Sequence, residues 1–182
     1  MKISFLVLLF VLYHQTIVSE GAIADTLVTE TCSKAAQSNP SLNYDFCVKS
    51  LQTAPKSATA DLHWLGIITT SLAKAKAAYG EAKIDSLLAK SQDPYDMARL
   101  NDCKELYTNA LSLTKQAKFA FKTNNWDDAN VHMGNALNSA VTCEDSWKED
   151  PGHASLLSRE NFDLQQLCRI GLAISKFLPS TT

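Results

Sequence analysis

Five cysteines are the residues of this 182-residue chain best equipped for chemistry. Cys32 and Cys47 bracket the stretch CSKAAQSNPSLNYDFC, and Cys103, Cys143 and Cys168 are spread over the second half. Such residues could hold a metal, cycle between thiol and disulfide, or staple segments together. Zinc sites need closely spaced Cys or His ligands. No CxxC occurs, and His63, His132 and His153 have no ligand spacing around them, so no metal is expected. Glu144-Asp145 and Glu149-Asp150 are carboxylate pairs, but adjacent helical residues do not face one another, and both read as solvated helix ends. His63 beside Trp64 is a binding element or, more simply, a half-buried helix flank. No serine lies in a GxSxG elbow. The isolated glycines Gly66, Gly80, Gly134, Gly152 and Gly171 form no phosphate cradle. Reactive groups do not converge, so the sequence reads as a binding protein without a catalytic residue or cofactor, not an enzyme.

The compartment decides what the cysteines do. Lys2 precedes an apolar run from Ile3 to Tyr13. That run is shorter than the ~20 residues a membrane-spanning helix needs. Ala22-Ile23-Ala24 supplies the small-x-small pattern of a cleavage site, with Ser19 to Gly21 as the weaker alternative. Residues 1–24 are therefore expected to be a signal peptide, and 25–182 one exported domain without a membrane span. In such a chain cysteines pair, and five give two bridges and one leftover thiol. The formal charge of −2 is interspersed, with no basic block, which excludes a nucleic-acid face and tight polyanion binding. The only sequon candidate, Asn39-Pro40-Ser41, is blocked by proline.

The positioning elements are helices. Apolar residues recur in steps of three and four through Leu62, Leu65, Ile68, Leu72, Ala75 and Tyr79. Asp93-Pro94 restarts the pattern as N-cap and first helical residue. Leu100, Cys103, Tyr107, Ala110, Thr114, Ala117 and Phe121 follow, then, after KTNNW, Ala129, Met133, Ala136, Ala140, Cys143 and Trp147. A last stripe carries Leu164, Leu167, Ile170, Ile174 and Phe177. Short connections make consecutive helices antiparallel neighbours. The expected fold is all-α: an up-down-up-down four-helix bundle over about 58–178, preceded by a helical hairpin over about 26–53.

Helix register then sorts the cysteines. Cys103 and Cys143 lie 22 and 18 residues from a turn near Asn125, an offset of about 6 Å along the axes. Cys143 and Cys168 lie 9 and 16 residues from a turn near Gly152. That offset is about 10 Å, beyond the usual reach of a disulfide, which makes Cys103–Cys143 the preferred pair. Cys32 and Cys47 are nearly level about the turn near Pro40, and Cys168 is left as a buried, unreactive thiol.

The stretches YDFCVKSL, TADLHWLG, NDCKELYTNAL, WDDANVHMGNALNSAVTCEDSW and LQQLCRIGLAISKFLP resemble the plant invertase and pectin methylesterase inhibitor family, from about Thr31 to Pro179. The wider cysteine spacing and NYDFCVKSL look most like pollen members described as invertase inhibitors, several of which are allergens. The resemblance implies a four-helix bundle with an N-terminal hairpin and the same cysteine pairing. It also implies a secreted apoplastic or cell-wall protein, monomeric, that blocks an enzyme's active-site cleft in a noncovalent one-to-one complex. Carried over by position, methylesterase contacts fall on Glu105, Asn109, Ser112, Thr142 and Asp145. Asn109 and Ser112 stand where one well-known member has acidic residues. Invertase inhibitors use a Pro-Lys-Phe loop between the same two helices, where this chain has Trp126, Asp127 and Asp128. Pectin methylesterase is therefore the first expected target and acid invertase the second. A secreted bundle that carries a small ligand or a signal is the reading from a different class.

Overall fold

The computed structural model describes residues 26–149 and 152–179. The expected signal peptide and its cleavage after Ala24 lie outside these residues, as does Asp150. Every regular element among the described residues is helical. Helix α1 covers residues 26–38, followed by α2 (Tyr44–Gln52), α3 (Leu62–Leu88), α4 (Pro94–Lys122), α5 (Trp126–Ser146) and α6 (Ser158–Phe177). Single 3-10 turns at Ser57–Thr59 and Trp147–Glu149 lead into α3 and out of α5. None of these helices is long and apolar enough to cross a membrane.

Local chemistry sets the helix starts. Side-chain oxygens of Asn43, Asp61, Asp93 and Asn125 accept from the free amides of the first turns of α2, α3, α4 and α5, satisfying donors that have no intrahelical partner. Pro94 occupies the first position of α4, where a missing amide costs nothing. Asn124 closes the α4–α5 turn with φ at 57°, a left-handed conformation asparagine tolerates.

The four long helices form a closed square: α4 packs on α3 and α5, and α6 packs on α5 and α3. The stripes read on α4 and α5 are buried throughout. On α3 the expected phase is off. Tyr79 is 61% exposed, and Ala75 is exposed as well. Leu65 of the expected stripe is buried, and the rest of the centre comes from Gly66, Thr69, Thr70, Ala73, Ala77, Gly80 and Ile84. The reason is aromatic bulk from α4: a Cβ on Gly66 would overlap the Phe121 ring, and one on Gly80 would overlap Tyr107. Small residues on α3 make room for large ones opposite, as close-packed interiors require.

The N-terminal hairpin docks on the α3–α6 side. Gln166 fastens it, accepting from the amide of Asn43 at 2.7 Å and donating to the carbonyl of Ser41 at 3.0 Å. Phe46 meets Phe162 edge to face at 5.7 Å. A disulfide joins Cys32 to Cys47 within the hairpin, with Cα atoms 5.7 Å apart. A second joins Cys103 to Cys143 between α4 and α5, at 5.0 Å. Cys168 is a buried free thiol, and burial pushes its pKa up to about 12.

Candidate functional site: the α4–α5 face

Residues spaced by four and three share one side of a helix, which puts Glu105, Asn109 and Ser112 in a row on α4. All three are exposed. With Asn101, Lys104 and Thr108 they line a shallow groove of about 540 Å³. On the α3 side the groove is braced by Lys104 paired with Asp85 at 2.6 Å and by Thr108 donating to Glu81 at 2.6 Å. On the α5 side Asn109 reaches Ser139 at 3.5 Å. Thr142 and Asp145, exposed on α5, flank the buried Cys143. The Cys103–Cys143 bridge thus holds both groups of the expected interface on neighbouring, rigid helices.

Glu144 and Asp145 do different work. Asp145 pairs with Lys148 at 2.6 Å, and the hydrogen bond and charge of Asp145 raise the Lys148 pKa. Glu144 departs from the solvated helix end expected of the pair. It accepts from Asn161 at 2.7 Å, Ser158 at 2.8 Å and Ser155 at 3.0 Å, tying the last turn of α5 to the start of α6. Ser155 in the loop before α6, with Ser158 and Asn161 in its first turn, closes on this carboxylate, a long-range closure that adjacent-residue spacing does not reveal. Lys148 and Ser139 join this face as well, and the three-residue spacing of Asp145 and Lys148 is the sequence signal for that pair.

The alternative interface lies at the other end of α5, about 27 Å of helix from Cys143. Asp127 and Asp128 are exposed there, with Asp128 accepting from Asn125 at 2.6 Å. Trp126 is buried, at 8% exposure, and is not an exposed tip. Its ring packs against Phe121 at 6.0 Å and His63 at 5.2 Å. His63 in turn donates from Nε2 to the carbonyl of Phe121 at 2.8 Å, which binds α3 to the end of α4. Burial of a large aromatic as the helix start is fixed explains the difference.

A cluster with metal-ligand chemistry does form, by folding and not by sequence spacing. Ligand atoms of Asp93, Asp96 and His153 lie within 4.8 Å of one another. Asp93 already accepts from the amides of Tyr95 and Asp96, and the positive end of α4 opposes a cation at that point.

A stapled helical bundle that presents a braced row of exposed polar groups on two rigid helices has the features of a docking surface. The chain belongs to the plant invertase/pectin methylesterase inhibitor family, whose model matches residues 26–174. That is a family of enzyme inhibitors and not of enzymes. The chain is 42% identical over 178 residues to a "Putative invertase inhibitor" of Platanus acerifolia, covering 98% of this chain and 99% of that one. It is 34% identical over 155 residues to a "Pectinesterase inhibitor" of Actinidia deliciosa, covering 85% and 80% of the two chains. Among solved structures, a mutant form of a pectin methylesterase inhibitor from Arabidopsis superposes with a TM-score of 0.70 at 28% identity, over 80% of this chain and 99% of that one.

Proposed function

We propose that this chain inhibits a pectin methylesterase, seating the α4–α5 face against the mouth of the enzyme's active-site cleft in a noncovalent one-to-one complex. The observation that carries the reading is the placement of exposed Glu105, Asn109 and Ser112 on α4 beside exposed Thr142 and Asp145 on α5, one disulfide apart. Rigid helices preorganise these groups, which lowers the ordering cost of binding. The carboxylates of Glu105 and Asp145 offer charge-assisted hydrogen bonds to donors in the cleft. The similarity to pectinesterase inhibitors from Actinidia deliciosa and Arabidopsis thaliana supports the same target. In this reading residues 1–24 are removed and the domain 25–182 is secreted to the cell wall as a monomer.

Acid invertase is the second target reading. It is favoured by the naming of the Platanus relatives, and at the α4–α5 turn it rests on Asp127 and Asp128, since Trp126 is buried. Titrating the purified protein separately against a pectin methylesterase and an acid invertase decides between the two. Stoichiometric loss of methylesterase activity with invertase untouched is the expected result. The reverse pattern transfers the proposal to invertase, and no inhibition of either removes both.

A further inference from the structure

The hairpin creates a second concavity on the opposite side of the bundle from the α4–α5 face. Where α2 meets α3 and α6, a cleft of about 420 Å³ opens, within the size range of small-molecule sites. Its apolar lining comes from Phe46 of α2, Leu72 and Ala75 of α3, and Leu167 of α6. The Phe46 ring is held in place by its edge-to-face contact with Phe162, so this wall is preorganised.

Two cations line the same cleft, Lys49 at the end of α2 and Arg159 in the first turn of α6. Both side chains are exposed, and neither has a carboxylate within ion-pair distance among the described residues. The contrast with Lys76 is direct, since that third cation is neutralised by Asp163 within the cleft. Helix stability does not account for Arg159, because the helix dipole disfavours a cation in a first turn. A cleft that combines this apolar wall and the hydroxyls of Ser50 and Thr53 with two uncompensated cations is complementary to a ligand that joins a flat hydrocarbon body to one anionic group.

We infer that this cleft binds a small aromatic carboxylate. The ring lies against Phe46, Leu72 and Leu167, and the carboxylate sits between Lys49 and Arg159, where the guanidinium can engage both oxygens. A sugar acid is a poorer fit, since the hydroxyls it turned toward Phe46, Leu72, Ala75 and Leu167 would lose water without gaining a partner. The site is independent of the inhibitory face, so its failure would leave the proposed function standing.

The test is a titration of ¹⁵N-labelled protein with 2-naphthoate, followed by amide shifts. Saturable shifts are expected at α2, the middle of α3 and the first turn of α6. The neutral analogue 2-naphthalenemethanol should bind at least tenfold more weakly, and so should naphthoate to the double variant Lys49→Ala with Arg159→Ala. Both substitutions alter exposed side chains, and circular dichroism checks that the variant is folded. Equal binding of acid and alcohol, an unaffected double variant, or no saturable shift at millimolar naphthoate would each overturn the inference. Tighter binding of trigalacturonate than of naphthoate would overturn it in favour of a sugar-acid site.

Discussion

The hydroxyl of Tyr107 donates to Oδ1 of Asn161 at 2.8 Å in the interior of the bundle. Asn161 passes the connection on, donating from Nδ2 to Glu144 at 2.7 Å. One chain of side chains therefore joins α4, α6 and α5. Burial, with the neighbouring carboxylates Glu160 and Glu144 adding to it, pushes the Tyr107 pKa well above its ordinary 10.0, so the phenol stays a donor at any pH the fold encounters.

Replacing Tyr107 by Phe keeps the ring over Gly80 and leaves Asn161 Oδ1 buried and unpaired. The expected loss is about 1–3 kcal/mol of stability, the cost of an unsatisfied buried acceptor. Asn161→Ala should cost more, because it unpairs Tyr107 and removes a donor from Glu144 together. Denaturant melts of the two variants measure the order, and a Tyr107→Phe variant as stable as the parent would show that the chain carries no net stability.

Cross-linked loops give a graded expectation. The Cys32–Cys47 loop spans a sequence separation of 15 and the Cys103–Cys143 loop one of 40. Chain-entropy reasoning assigns about 3 kcal/mol to the shorter and about 4 kcal/mol to the longer. Paired Cys→Ala variants should melt in that order below the parent. Cys168 should react with a thiol reagent only after unfolding, since it is buried and its pKa is raised to about 12. Labelling in the native state at mildly alkaline pH would contradict its burial.

These partners differ in how far the sequence foretells them. The α4 and α5 stripes, the caps at Asp93 and the register of the cysteines follow from local periodicity and helix rise, and such short-range rules are legible in a sequence. The phase of α3 is not, because it is decided by Phe121 and Tyr107 pressing on Gly66 and Gly80 from another helix. Glu144 and Asp145 are adjacent, and only the loop that brings Ser155, Ser158 and Asn161 back to α5 separates an inward carboxylate from an outward one. Trp126 is hidden for the same reason: its partner His63 belongs to α3, far away in sequence.

Asp93 gives a pH dependence with a definite sign. Hydrogen bonds from the amides of Tyr95 and Asp96, with help from nearby His153, hold its carboxyl below the ordinary 3.8. A depressed folded-state pKa contributes stability that is present above the unfolded pKa and lost as pH falls through the folded one. Asp93→Ala should therefore melt lower than the parent near neutral pH, through loss of the α4 cap. The gap should narrow as the pH is taken below 3.8. A gap that stays constant across that range would mean the charge of Asp93 plays no part.

The two ends of α5 separate loss of binding from loss of folding. Asp145 is exposed and pairs with the exposed Lys148, an ion pair of the kind that contributes little to stability. Thr142→Ala with Asp145→Ala should therefore leave the melting temperature nearly unchanged while weakening methylesterase inhibition at least tenfold. Lys148→Ala should leave inhibition equal or improve it, because Asp145 no longer has a competing partner. Trp126→Ala should do the opposite. Removing a buried aromatic at the contact with Phe121 and His63 costs about 3–5 kcal/mol, yet the protein that remains folded should inhibit a methylesterase as well as the parent. Inhibition constants must be referred to the folded fraction measured by circular dichroism. A folded Trp126→Ala protein that loses methylesterase inhibition, beside a Thr142/Asp145 double variant that keeps it, would move the docking surface to the α4–α5 turn.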